Sequence, residues 1–124
     1  MFLSEGRWNR VFFEVLFWTA LASVALLSLI PSPPPVPLSF NGLDKLQHLG
    51  AYGFLGFFRG ISLQRRLRGR DVLIIAVILT VFGGVLELLQ AFTGRTAEFW
   101  DLMADGLGAL MGGTLSLLWS RRAG

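Results

Sequence analysis

The sequence predicts an all-α polytopic membrane protein, a bundle of four transmembrane helices, and three observations support this. The 124 residues are 53% hydrophobic with a mean hydropathy of +0.61, which is too apolar for a small water-soluble domain. Four apolar segments are each long enough, at about 20 residues, to cross a bilayer; they lie near residues 11–30, 44–63, 72–92 and 99–119. Little sequence remains outside them, so we predict a single domain over residues 1–124.

The first two helices are separated by a segment that cannot be helical. All five prolines of the chain lie within residues 31–37, directly after helix 11–30. Proline lacks a backbone N–H and favours extended backbone, so this segment is predicted to form a stiff connection. The second helix then begins near Asp44, whose carboxylate can cap a helix N-terminus.

Short polar turns separate the remaining helices. Residues 65–70 contain four arginines and a glycine, and Asp71 behind them can start the third helix. Thr93-Gly94 is expected to end that helix, because glycine is favoured just beyond a helix C-terminus. The fourth helix follows, over residues 99–119.

Small residues predict close packing of the second and fourth helices. Gly56 and Gly60 form a GxxxG motif in the second helix, and Gly108 and Gly112 form another in the fourth. Small residues allow helix backbones to approach each other within lipid, where no hydrophobic driving force exists between helices.

The basic residues predict the orientation of the chain in the membrane. Nine of the eleven Lys and Arg residues fall on one side of the predicted layout, which leaves only Lys45 and Arg95 on the other. The positive-inside rule then places both termini and the middle loop in the cytoplasm. The same arginines act as anchors against anionic lipid, so the basic charge does not indicate a nucleic-acid partner. Within the apolar helices, Glu14 is expected to pair with Arg10 one turn earlier, and Arg59 to extend toward the headgroups.

The intramembrane polar residues gather at one predicted depth. His48 lies one helical turn after Asp44, Asp105 one turn after Asp101, and Glu87 little more than one turn before the third helix ends. At 1.5 Å per residue each lies roughly 6–7 Å below the same, outward-facing surface. Polar groups are costly in lipid and usually face a bundle interior. We therefore predict an outward-facing polar pocket formed by Asp44, Lys45, His48, Tyr52, Glu87, Gln90, Arg95, Asp101 and Asp105.

Several of these residues also carry a family resemblance. They occur as Asp44-Lys45-x-x-His48-x-x-x-Tyr52, Glu87-x-x-Gln90, Arg95 followed by Asp101, and Gly108-x-x-x-Gly112. This combination resembles the VanZ-like family, small bacterial membrane proteins whose founding member is associated with low-level teicoplanin resistance. The resemblance covers most of the chain from Asp44 onward and departs at Asp105, where the family pattern implies an amide. It implies a multi-pass protein of the bacterial cytoplasmic membrane, but it supplies no reaction.

Several functions remain open for such a pocket. Lys45 and Arg95 could hold a phosphate or carboxylate, so the expected ligand is a lipid or lipid-linked envelope component, with a link to glycopeptide susceptibility implied by the resemblance. The polar residues could instead be a purely structural network, or the chain an accessory subunit of a larger membrane complex. A hydrolase or transferase is a further alternative, in which His48 with Glu87 and Asp101 forms either a base with its orienting carboxylate or a divalent metal site. We expect no cofactor, and the metal site is the less favoured of the two because the usual His-x-x-x-His or Glu-x-x-His spacing is missing, so no metal is predicted.

Overall fold

The computed structural model describes residues 6–29, 43–92 and 99–123, and these residues form four α-helices. The helices are α1 (Gly6–Leu29), α2 (Leu43–Ser62), α3 (Gly69–Phe92) and α4 (Phe99–Ala123). The all-α prediction is therefore confirmed. Three of the helices, α1, α3 and α4, contain a stretch that is long and apolar enough to cross a membrane, over Asn9–Leu29, Gly69–Phe92 and Phe99–Arg122.

The helix ends differ from the prediction by a few residues, for a simple reason. The predicted boundaries follow the apolar stretches, whereas backbone hydrogen bonding continues through the polar turns beside them. Thus α4 extends to Ala123 and includes Arg121 and Arg122 in its last turn, where cations interact favourably with the helix dipole. Similarly, α3 begins at Gly69, because the Asp71 carboxylate accepts a hydrogen bond from the backbone N–H of Arg68 at 2.8 Å.

The closest packing in the bundle is the seam between α2 and α4. Later residues of α2 contact later residues of α4, so the two helices run parallel. A methyl group added to Gly112 would overlap the Gly53 carbonyl, and one added to Gly56 would lie 2.6 Å from the Ala109 carbonyl oxygen. Glycine is therefore required at these crossings, where backbone meets backbone.

The other two helices run antiparallel to this seam. Val72 of α3 lies near Gly113 of α4, and Thr80 of α3 lies near Gly106. Later residues of α3 therefore contact earlier residues of α4, so the two helices are antiparallel. Helix α1 packs against α2 and α3. The buried apolar core between the helices consists of Phe17, Tyr52, Leu55, Ile75, Ala76, Leu79 and Ala109.

An ion pair joins α1 to α2 and corrects one prediction. Both carboxylate oxygens of Glu14 accept hydrogen bonds, one from Arg59 at 3.0 Å and the other from the Trp18 indole N–H at 2.9 Å. The partner of Glu14 is thus an arginine of another helix rather than the neighbouring Arg10. The Arg59 guanidinium also lies 5.4 Å from the centre of the Phe17 ring, a cation–π contact. Arg59 is thereby held at the α1–α2 interface instead of extending toward headgroups.

Candidate polar site

Three helices bring seven of the predicted site residues to one end of the bundle. This end lies where α2 and α4 begin and where α3 ends. We call the group the polar cluster; its members are Lys45, His48 and Tyr52 from α2, Glu87 and Gln90 from α3, and Asp101 and Asp105 from α4. Because α3 runs opposite to the other two helices, residues distant in sequence reach the same level.

A short contact in the polar cluster joins His48 to Asp105. The imidazole Nδ1 lies 2.6 Å from Asp105 Oδ1, and Asp105 is only 1% exposed. An ionised carboxylate can only accept a hydrogen bond, so Nδ1 is the donor whenever Asp105 is ionised. Gly83 of α3 makes room for this carboxylate, since a methyl group at that position would lie 2.5 Å from Asp105 Oδ2.

The other imidazole nitrogen faces the second carboxylate of α4. His48 Nε2 lies 3.6 Å from Asp101 Oδ2, and Lys45 Nζ lies 3.5 Å from Asp101 Oδ1. Glu87 completes the group from α3. One ligand atom each from His48, Glu87 and Asp101 can be chosen such that all three lie within 4.8 Å of one another. Asp101 and Glu87 are both buried.

Tyr52 and Gln90 border the same group. Tyr52 is 2% exposed, and its ring is nearly parallel to that of His48, with the two centroids 6.5 Å apart. Its hydroxyl, like Asp105, lies against Gly83. The Gln90 side-chain amide donates a hydrogen bond of 2.9 Å to the backbone carbonyl of Ser28, which ties the end of α3 to the end of α1.

Two predicted site residues cannot be placed in this geometry. Arg95 lies outside the described residues. Asp44 belongs to the first turn of α2, but its side chain is not among those described. The predicted anion contact by Arg95 therefore stays a prediction. The other predicted anion ligand, Lys45, is described, and its Nζ lies against Asp101.

A small cavity opens beside the polar cluster. Its volume is about 180 Å³, and its walls come from α1, α2 and α3. The polar part of the lining is formed by His48, Gln90, Tyr52, Gln47 and Ser28, and the apolar part by Val24, Leu27 and Ala51. The contribution of α1 is the part that sequence reasoning missed. A single serine at the end of an apolar helix gives no signal of this kind, because such a residue is common in membrane helices.

The charges of the polar cluster restrict its chemistry. Among its described residues, the three carboxylates of Glu87, Asp101 and Asp105 face the cationic Lys45 and an imidazole. A buried carboxylate that orients an imidazole is the arrangement found in general bases and in metal ligands.

Comparisons with known proteins give no match. No family model fits this chain, and no curated protein and no solved structure is significantly similar to it.

Proposed function

We propose that this chain is a multi-pass membrane protein that binds an amphiphile, a lipid or a lipid-linked envelope component, beside the polar cluster. The observation that carries this proposal is the cavity of about 180 Å³ between α1, α2 and α3. One part of its lining is polar and the other part is apolar, which suits a molecule with a polar head and a hydrocarbon tail.

The surroundings of the cluster support a location near the membrane surface. Phe92, Phe99 and Trp100 lie at the same end of the bundle as the polar cluster and are 87%, 64% and 65% exposed. Large aromatic side chains are enriched where hydrocarbon meets headgroups. An amphiphile bound here would keep its headgroup near the interface while its tail follows the apolar helices.

The proposal includes α2 as a fourth membrane span and both termini in the cytoplasm. Helix α2 runs parallel to α4 along the glycine seam, so a bilayer crossed by α4 would also surround α2. The chain has no cysteine, which allows single-cysteine labelling without background. With a membrane-impermeant maleimide on intact cells, Ser32→Cys should be labelled, whereas Arg66→Cys and Arg121→Cys should be labelled only after lysis. The reverse pattern would overturn the orientation.

The amphiphile is tested by filling the cavity. Ala51→Phe places a ring in the apolar part of the lining, and Ala22→Phe makes the same change on an exposed position of α1. Both variants and the wild-type chain are extracted together with native lipid, and the bound molecules are measured by native mass spectrometry. We expect a stoichiometric amphiphile on the wild type and on Ala22→Phe, and its loss from Ala51→Phe. Equal recovery from all three proteins would contradict the proposal.

The resemblance to VanZ-like proteins adds a biological setting to the same proposal. It suggests that the amphiphile belongs to the bacterial cell envelope and that the chain affects susceptibility to teicoplanin. Expression of the wild-type chain in a susceptible bacterium should raise the inhibitory concentration of teicoplanin, and Ala51→Phe should not. An unchanged inhibitory concentration for both proteins would remove the link to glycopeptides while leaving amphiphile binding open to its own test.

One observation favours a second candidate, an accessory subunit of a larger membrane complex. Only 6% of the most apolar window of α1 is buried, and side chains such as Phe12, Trp18 and Leu26 are more than half exposed. This surface could contact either lipid or another subunit. A stable stoichiometric partner after mild extraction, lost when Phe12 and Leu26 are replaced by alanine, would support the accessory role.

A further inference from the structure

We infer that the polar cluster binds a divalent metal ion, with His48 Nε2 and the carboxylates of Glu87 and Asp101 as its protein ligands. Asp105 acts as the residue that orients His48. The use of this ion to hold an anionic headgroup rests on the proposed function. The binding of the ion itself can be measured without any amphiphile.

The contact between His48 and Asp105 determines which nitrogen is available to a metal. With Asp105 ionised, the Nδ1–H of His48 donates the 2.6 Å hydrogen bond to Asp105, and the neutral imidazole presents the lone pair of Nε2 on its opposite side. That side faces Asp101. Histidines that bind metals commonly donate their other ring N–H to a carboxylate, which sets the tautomer and the ring orientation. Asp105 provides this support from a fully buried position.

The distances within the cluster are close to those between neighbouring ligands of one metal ion. His48 Nε2 and Asp101 Oδ2 are 3.6 Å apart, beyond the usual hydrogen-bond range of about 2.7–3.2 Å. Neighbouring ligands that each lie about 2.1 Å from a metal are separated by roughly 3.0–3.5 Å. The full set with Glu87 spans at most 4.8 Å, so a small contraction of the three side chains would complete such a shell.

The charge of the cluster favours the same conclusion. Three largely buried carboxylates meet one lysine and one imidazole among the described residues. Carboxylate and imidazole atoms of three helices converge within 4.8 Å, and a divalent cation bound between them would be attracted by the carboxylates. It would also turn an acidic site into one that attracts a phosphate or carboxylate headgroup.

The mixed ligand set indicates the class of metal. Imidazole nitrogen suits Zn²⁺ and related first-row ions, whereas carboxylates also suit Mn²⁺. One imidazole with two carboxylates therefore favours Zn²⁺ or Mn²⁺ over Ca²⁺. The sequence offered these three residues as a metal site but did not favour it, because the spacing of ligands within one helix is missing. Each ligand comes from a different helix, and the structure places the three ligand atoms within 4.8 Å of one another.

The test uses the full chain in nanodiscs of zwitterionic phosphatidylcholine, which contribute little metal binding of their own. After removal of metals with EDTA and then of the chelator, Mn²⁺ is titrated and the free ion is measured by electron paramagnetic resonance. We expect one saturable site per chain, from which Zn²⁺ displaces Mn²⁺. Glu87→Gln and Asp101→Asn should each weaken binding at least about tenfold, and Asp105→Asn by about tenfold through the orientation of His48.

Matched controls keep this test decisive. Glu14→Gln and Asp71→Asn remove carboxylates at the other end of the bundle and should leave Mn²⁺ affinity unchanged. Circular dichroism shows whether each variant folds; if Glu87→Gln or Asp101→Asn fails to fold, Asp105→Asn, which keeps an acceptor for His48, decides the test. No saturable site on the wild type, or wild-type affinity in folded variants of Glu87, Asp101 and Asp105, would overturn the inference.

Failure of the metal site and failure of the proposed function can be told apart. Ala51→Phe alters only the cavity and should retain the Mn²⁺ site while losing the amphiphile. A wild type that binds Mn²⁺ but retains no amphiphile would support the metal site and contradict the proposed function. A wild type that retains the amphiphile but has no Mn²⁺ site would do the reverse.

Discussion

The two ends of the bundle both contain buried or half-buried charges, but they balance these charges differently. At the end where α3 begins, the described carboxylates of Glu14 and Asp71 each pair with one arginine, Glu14 with Arg59 at 3.0 Å and Asp71 with Arg65 at 2.8 Å. At the end where α3 finishes, the described residues bring three carboxylates, one lysine and one imidazole together. The first arrangement consists of separate ion pairs. The second places an imidazole and carboxylates of three helices close enough for the metal site that we propose.

The loop between α2 and α3 shows how complete the pairing is at the first end. Arg65 makes two hydrogen bonds to Asp71, and these bonds raise the pKa of Arg65 further above its usual value. The backbone N–H of Leu67 donates to Ser120 of α4. Gln64 adopts a left-handed conformation, with φ at 55°, that allows the chain to turn within this short loop. The described carboxylates at this end are therefore balanced by the arginines that they contact.

The largest predicted effect on the free energy of unfolding comes from a substitution in the glycine seam between α2 and α4. Gly112→Val should prevent the close approach of α2 and α4, because its side chain would overlap the Gly53 carbonyl. We expect a loss of at least about 3 kcal/mol in the free energy of unfolding, or no folded protein. The measurement is reversible unfolding with SDS in mixed micelles. Gly50→Val is the matched control, since nothing lies within 4 Å of a methyl group there, and it should behave like the wild type to within about 1 kcal/mol.

An intermediate effect is expected where charges are paired one to one. Asp71→Asn removes the ionised partner of Arg65 and weakens the hydrogen bond from the Arg68 backbone at the start of α3. We expect a loss of about 1–2 kcal/mol in the same unfolding measurement, reduced by the partial exposure of Arg65. An unchanged free energy of unfolding would show that this pair is not what stabilises the loop.

The smallest effect on the free energy of unfolding, and one of opposite sign, is expected in the polar cluster. Glu87→Gln removes one of several like charges from a buried position. In the presence of EDTA it should leave the free energy of unfolding unchanged or raise it by up to about 1 kcal/mol. With Mn²⁺ present, the wild type should instead become the more stable protein, because only it binds the ion tightly. If Glu87→Gln lowered the free energy of unfolding in EDTA, the charge of Glu87 would be stabilised within the protein in the same way as the paired carboxylates at the other end.

Much of this protein follows from the sequence by itself. The apolar segments predict four helices to within a few residues, since burial in lipid or core requires long apolar stretches whatever the partner. The depth argument also predicts that His48, Glu87 and Asp105 lie at one level, because the rise per residue and the alternating direction of the helices determine height. Both arguments use distances along single helices, and these are local properties of the chain.

Only the tertiary structure decided which faces of these helices contact one another. Neither the pairing of Glu14 with Arg59 nor that of His48 with Asp105 can be read from spacing, since each joins residues more than 40 positions apart. The same holds for Ser28 and Ala51, which line the cavity from different helices. Height within the bundle is determined by each helix separately, whereas contact depends on which faces meet. The glycine seam between α2 and α4 contributes to that choice, because the two backbones approach each other closely where glycines face them.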